Sequence, residues 1–310
     1  MAVPENLREA TQTVEPVSVQ ARINRLARIV VAFREDFRWW FGIVLLVFVL
    51  AAIFAPQISP YPPLLYHPAI AEQGPSLAHP FGTDSLGRDQ LSRVIYGTRI
   101  SLTVGLATIL LGGLCGTILG IIAAYIKGWV DMIITMAMDA LLSFPSIVLA
   151  LAIVASLGPS VINLVIALAV VRVPIYARLA RGQTLQAAEQ DYVTAARVNG
   201  SGSAKIMLRH IFPNIFSPLL VQATLSIAFA ILDESILSFL GLGQQPPTPE
   251  WGAMINEAQP YLASDPWMMV GPALAIIIVL ISLNLLGDAV RDKLDPRATT
   301  YVAAPLQEQP

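Results

Sequence analysis

The chain has 310 residues, 55% of them apolar and only 13% charged, with 19 Lys and Arg against 21 Asp and Glu for a net charge of −2. Soluble domains carry about 25% charged residues, so with its long apolar runs this composition excludes an ordinary soluble domain and predicts an all-α polytopic membrane protein. The lone cysteine, Cys115, lies inside an apolar run and excludes an intrachain disulfide, a Cys-based zinc cluster and a redox pair.

Residues 1–16 are polar and aperiodic, the composition of a mobile tail. Further on, Val19, Ile23, Leu26, Val30 and Phe33 recur at helical spacing, while Arg22, Arg25 and Arg28 form a separate stripe. That pattern predicts a basic amphipathic helix lying among anionic lipid headgroups on the cytoplasmic face. Residues 1–38 are therefore read as tail plus interfacial helix. They do not read as a cleavable signal, because no small-residue cleavage site follows the first apolar run.

The region 39–297 is expected to hold six spans. The first covers about Trp39 to Ala55, with Trp39 and Trp40 as interface anchors. Residues 56–97 form an outer loop whose prolines forbid a long helix. Near its end Thr83 or Asp84 can cap a surface helix, and Asp84–Arg88 and Asp89–Arg93 stand at i,i+4. Such pairs give a few tenths of a kcal/mol each, enough to orient the segment and too little to secure the fold.

The second span, about Ser101 to Tyr125, carries Gly112, Gly116 and Gly120, with Gly105 one heptad earlier. Small residues every fourth position allow another helix backbone to approach closely, so this face is read as a packing seam, either within the bundle or with a second subunit. Lys127-Gly128 makes a short cytoplasmic turn. The third span, about Met132 to Ser156, begins after Asp131 as cap and contains Asp139 ahead of Pro145. A carboxylate at that depth is costly unless it faces protein or water. It reads as lining a pathway or as satisfying a backbone group beside the proline. Gly158-Pro159-Ser160 is a hairpin-length turn.

The fourth span, about Val161 to Ile175, ends near Arg172 and Pro174. Arg172 is expected first to snorkel to the cytoplasmic boundary, and second to line an inner vestibule. Residues 178–214 are a polar island with Arg178, Arg181, Arg197, Lys205 and Arg209, which short basic loops keep inside. Two short helices are expected in it. One runs from about Ala187 to Val198 and stops at Asn199-Gly200, a left-handed cap signal; the other follows a serine cap at Ser201-Gly202-Ser203 and ends before Pro213. Tyr192, Val193, Ala195 and Ala196 supply apolar surface on the first, and Ile206, Met207, Ile211 and Phe212 on the second. Such helices can lie on their own bundle or enter a partner's groove.

The fifth span, about Ile215 to Leu232, is followed by Asp233 and Glu234. The outer loop 244–267 has acids but no Lys or Arg. The last span is about Met268 to Leu286, and 298–310 reads as a flexible cytoplasmic tail. Only Arg88, Arg93 and Arg99 among the basic residues fall in outer loops, so six spans place both termini in the cytoplasm.

Much chemistry is excluded. There is no G-x-x-x-x-G-K-[ST] loop, so this chain is not expected to hydrolyse ATP. His67, His79 and His210 all fall in loops, which removes a Ser-His enzyme at bilayer depth. No His, Cys and carboxylate cluster has metal-ligand spacing.

Four motifs carry a resemblance. Tyr192-Val193-Thr194-Ala195-Ala196-Arg197-Val198-Asn199-Gly200, followed by Arg209-His210-Ile211-Phe212-Pro213-Asn214, resembles the coupling loop of ATP-binding-cassette importer permeases. Ala195, Ala196, Gly200 and Pro213 are in register; Thr194 stands where that family has Glu. Phe81-Gly82-Thr83-Asp84 through Gly87-Arg88-Asp89, Phe239-Leu240-Gly241-Leu242-Gly243 through Trp251-Gly252, and Asn284 through Pro296 are similar to the family's dipeptide and oligopeptide branch. Glu234 matches a recurring family glutamate.

The resemblance implies a six-helix permease bundle in the bacterial inner membrane, a transport subunit and no enzyme. It implies a second permease in a heterodimer, two ATP-binding subunits that hold ATP and Mg, and a periplasmic or lipid-anchored solute-binding protein. No cofactor, metal or nucleic acid is expected on this chain; lipid is. Asp191, Tyr192, Thr194, Ala195, Ala196, Arg197, Gly200 and Pro213 are the expected docking residues, where small side chains allow close approach. Dipeptides are the expected cargo, with longer peptides, glutathione and chelated nickel as alternatives. From a different class, an ion-coupled transporter would use Asp139, Asp233 or Glu234 as a proton relay.

Overall fold

The computed structural model describes residues 37–294. The expected amphipathic helix and both tails lie almost wholly outside them. Among the described residues the protein is helical, with no strand. In chain order the helices are α1 (Trp40–Ile53, after a 3-10 turn at Phe37–Trp39 and before a single turn at Ala55–Ile58), α2 (Gln90–Ile126), α3 (Gly128–Leu142), α4 (Ser146–Leu157), α5 (Val161–Ala188), α6 (Asp191–Val198), α7 (Ser203–Ile206), α8 (Phe212–Phe239), α9 (Trp251–Ala258) and α10 (Trp267–Leu294). A π turn, Met207–Ile211, joins α7 to α8. Four runs are long and apolar enough to cross a membrane: α2, α5, Ser203–Phe239 and α10. A fifth is the pair α3 and α4 taken together, and Phe37–Ile53 is a shorter apolar helix.

The centre of the bundle is the contact between α2 and α5. A Cβ added to Gly112 would lie 2.6 Å from the Ala169 carbonyl oxygen, one on Gly116 2.4 Å from that of Val173, and one on Gly120 2.3 Å from that of Ala177. The three contacts advance by four residues on both helices, so α2 and α5 run parallel with their backbones touching. The glycine seam is thus internal to this chain. Gly105 departs from it, meeting Ile231 of α8.

Two parallel neighbours require the chain between them to travel back. Lys127 and Gly128, both at positive φ (63° and 61°), reverse it, and α3 and α4 return together. They do not form the single straight span expected over Met132 to Ser156, being bent by 91° at Ser143–Pro145. Pro145 lacks a donor and turns the residue before it away from helix. Asp131 sits inside the first turn of α3 and does not cap it. Ser160 caps α5 by accepting from the Asn163 N–H.

Several helices outrun their expected ends. The cap of α2 is Asp89, whose carboxylate accepts from the Ser92 N–H, so the helix starts well before Ser101, and Thr83 and Asp84 cap nothing. The fifth span continues through Asp233 and Glu234 to Phe239. The fourth continues past Pro174 to Ala188, so Arg178 and Arg181 lie on helix and not in a loop.

At the end of the bundle where α2 begins, the loops are joined by a buried clasp. The Asp84 carboxylate accepts from the Leu86 and Arg88 N–H groups and pairs with the Arg88 side chain. Arg88 and Arg93 both donate to Glu257 of α9, at 3.0 and 2.7 Å. The expected Asp89–Arg93 pair does not form; Asp89 takes His79 instead, at 2.8 Å. Asp84, Arg88, Asp89 and Arg93 are all 3% exposed or less, so they do more than orient a surface segment. Buried ions that lose a partner are costly. Beside the clasp, fully buried Trp251 donates through Nε1 to the Val94 carbonyl, over Gly97.

Gly116→Ala is expected to destabilise the bundle by about 1–3 kcal/mol, since backbone must move to admit the methyl. Gly182→Ala, with nothing near its Cβ, should gain up to about 1 kcal/mol from helix propensity. Thermal unfolding of the detergent-solubilised protein checks both. Glu257→Gln removes one carboxylate from two guanidinium groups. The cost should approach the about 3–5 kcal/mol of a broken buried pair, reduced because the Glu257 side chain is 25% exposed. Faster proteolysis within residues 56–89 is the readout.

Candidate functional site

The first helix of the expected coupling loop is α6, starting at Asp191 and not at about Ala187, because α5 runs on to Ala188 and the chain turns at Glu189 and Gln190. Asp191 in the first turn of α6 and Arg197 in its last both complement the helix dipole. Gly200 ends the element at φ +75°. The Ser201 N–H donates to the Ala196 carbonyl and the Gly200 N–H to that of Arg197, the paired closure of a glycine-terminated helix. Only a residue at ease with positive φ completes it.

No serine caps α7; Gly202 occupies the cap position without a side-chain bond. Nor does Pro213 end the second helix. The π turn has already broken the i→i−4 ladder just ahead of it, so its missing N–H falls where α8 starts, the position at which proline is tolerated.

The loop has two faces. Val193 and Ala196 of α6 point inward, and Ile206 and Ile211 join them in a core with Ile121, Tyr176, Ala180 and Ile215. The expected apolar grouping on α6 is therefore split, because Tyr192 and Ala195 point outward with Asp191 and Thr194. Val198 and Leu208 are exposed at 83% and 69%. Arg197 lies over the Tyr125 ring at 5.4 Å, a cation–π contact that ties the loop to the end of α2. The loop thus rests firmly on its own bundle and still offers small and apolar side chains outward.

Two ion pairs join α3 to α5. Arg181 holds Asp131 through two bonds of 2.6 and 2.7 Å, and Arg178 holds Asp139 at 2.6 Å. Both pairs lie beside a cavity of about 350 Å³ lined also by Gly120, Met138 and Gly182. The side chains of Arg178 and Asp139 are more than half exposed. Asp139 therefore spends its charge on an arginine, not on backbone beside Pro145. Glu234 is fully buried, within reach of the Ser101 and Ser235 hydroxyls at 3.4 and 3.2 Å.

Arg172 does not snorkel. It is 8% exposed and pairs with Asp233 of α8. Its Cβ packs under Gly112, fourteen residues before the end of α2 at Ile126, or about 21 Å along the axis. That depth is beyond the reach of an arginine side chain to that boundary.

Sequence reasoning missed Glu257 as the common partner of Arg88 and Arg93, and Tyr125 under Arg197. It also missed the α3–α5 pairs, although a signal existed: Asp131 and Asp139 share a helix face at a spacing of eight, as Arg178 and Arg181 do at three.

The geometry can be set beside known proteins. Residues 116–300 match the family described as binding-protein-dependent transport system inner membrane component, and residues 35–79 match the N-terminal TM domain of oligopeptide transport permease C. The dipeptide transport system permease protein of Alkalihalophilus pseudofirmus is 44% identical over 255 residues, covering 82% of this chain and 84% of that one. The di/tripeptide permease of Pseudomonas aeruginosa is 44% identical over 260 residues, 82% and 86% of the two chains. The glutathione transport system permease protein of Pectobacterium atrosepticum is 43% identical over 257 residues, 83% and 85%. With a family model spanning more than half its length and relatives of this identity, the chain belongs to the permeases of binding-protein-dependent ATP-binding-cassette importers, in the dipeptide and oligopeptide branch, and is a multi-pass membrane transport subunit rather than an enzyme.

Proposed function

We propose that this chain is one of two unlike permeases forming the path by which short peptides, dipeptides foremost, enter the cytoplasm. Two partner ATPases bind ATP and Mg and supply the force; an external solute-binding protein delivers the cargo. The observation that carries this reading is the two-faced loop. Val193, Ala196, Ile206 and Ile211 fix α6 and the start of the next helix to the bundle, while Asp191, Tyr192, Thr194 and Ala195 face away. A helix held on one side and free on the other moves as a rigid lever with whatever grips the free side. The small side chains of Thr194 and Ala195 suit close approach to an ATPase groove. Gly200 and Pro213 shape the loop, and Ala196 and Arg197 hold it to the bundle.

On this reading the loop end is cytoplasmic, the clasp end is external, and both termini are inside. ATP binding closes the ATPase pair, α6 is carried along, and the spans swing. Residues 39–297 act as one permease domain. Asp131, Asp139, Arg178 and Arg181 fasten α3 to α5 so that the two move together. An ion-coupled relay through Asp139 or Asp233 is disfavoured, because each already holds an arginine; Glu234 lies against the Ser101 and Ser235 hydroxyls. Glutathione is the second reading of the cargo, favoured by the glutathione permease of Escherichia coli O157:H7, 45% identical over 257 residues.

Gly200→Val tests the docking role. Nothing lies near the new side chain, so the bundle stays intact, but a β-branched residue at φ +75° is strained. Peptide uptake by the reconstituted transporter should fall by about tenfold or more, on a loss of about 1–3 kcal/mol at the cap, with membrane insertion unchanged. Unchanged uptake would remove the docking role from this loop.

A further inference from the structure

The Arg172–Asp233 pair is unlike the other charges of the bundle. The α3–α5 pairs are more open, with side chains 37% and 21% exposed in one and 58% and 52% in the other. Arg172 lies about 21 Å from the nearer end of α2, and the side chains of the pair are only 10% and 18% exposed. The exposed edge of a charge at that depth cannot face hydrocarbon at acceptable cost, so it faces other protein or a wet cavity. Among the described residues Arg172 Nε is buried without an acceptor. The hydroxyl of Thr108, one turn from Gly112 on α2, is likewise buried without a partner among them. Unspent polar groups at mid-membrane are an arrangement suited to a ligand that is only sometimes present.

A pair that served stability alone has a poor physical rationale, because apolar residues of similar volume do as well or better in buried sites. What two opposite charges do uniquely is receive two opposite charges. The geometry points to Arg172 and Asp233 as the mid-membrane contact for the charged ends of the cargo. The guanidinium takes the peptide's terminal carboxylate, with Nε as a further donor, and the Asp233 carboxylate takes its terminal ammonium. The two groups stand on different helices, α5 and α8, so a swing that parts the helices opens the pair to the ligand and the reverse swing closes it again. In the empty path each side chain neutralises the other, and this keeps a bare charge out of the membrane. This inference rests on the peptide-import reading and adds the residues that recognise the cargo.

The test uses the complete transporter, with both permeases, both ATPases and the solute-binding protein, in proteoliposomes given radiolabelled alanyl-alanine. The double variant Arg172→Met with Asp233→Val removes both charges and keeps the combined volume of the pair nearly unchanged. It should assemble and melt like the parent, while uptake falls by at least about tenfold, the scale of a lost buried ionic contact. Arg172→Lys with Asp233→Glu keeps the charges and should retain most uptake. Uptake within about twofold of the parent in the apolar variant would overturn the inference. So would parallel loss of uptake and thermal stability, which marks a structural bridge, or equal loss in both variants. If the parent complex itself moves no peptide, the import reading fails and takes this inference with it.

Discussion

The backbones of α2 and α5 touch through Gly112, Gly116 and Gly120, and the rest of the architecture follows from that approach. In a membrane no hydrophobic effect drives helices together, so close packing of small residues carries the association. The register fixes the two helices as parallel, and parallel neighbours oblige the intervening chain to return along the bundle. The bent α3–α4 unit makes that return, and its inclination leaves room for Asp131 and Asp139 to reach Arg181 and Arg178 of α5. The same contact carries α5 onward to Ala188 and thereby sets where α6 hangs.

The two ends of the bundle are built by different physics. At one, the loops are locked by the ionic network of Asp84, Arg88, Arg93 and Glu257, together with the Asp89–His79 pair. Asp84, Arg88, Asp89 and Arg93 are buried, so their partners are tightly specified. At the other, α6 is attached by a modest apolar face and one cation–π contact, and its opposite face is uncovered among the described residues. On the proposed reading, this difference serves a permease driven from one side, with a firm frame at the far end and a lever at the driven end.

Much of this was legible in the sequence, and what was not has a physical cause. The glycine spacing predicted a seam because an i,i+4 repeat of absent side chains has few other uses. Asn199-Gly200 predicted a stop because only glycine takes that φ readily. Helix ends were misjudged where hydropathy and helicity part company: Arg178, Arg181 and Asp233 are charged but stand on helix, since their charges are met across the bundle, and Glu234 is buried beside hydroxyls. Pro145 was visible and its 91° consequence was not, because the bend depends on how neighbouring helices receive α3 and α4. Pro213 was read as a stop, and the π turn ahead of it removed the conflict. Arg172 was assigned to the boundary because its partner lies sixty-one residues away, a relation no local pattern records.

The central claim is that this chain is a gate without its own source of work, moved through the face of α6 that it leaves uncovered. Reconstitution decides it. The purified chain, alone in liposomes, should accumulate no peptide under any imposed ion or voltage gradient. The complete assembly should accumulate it when nucleotide is supplied on the ATPase side. Gradient-driven accumulation by the chain alone would contradict the account.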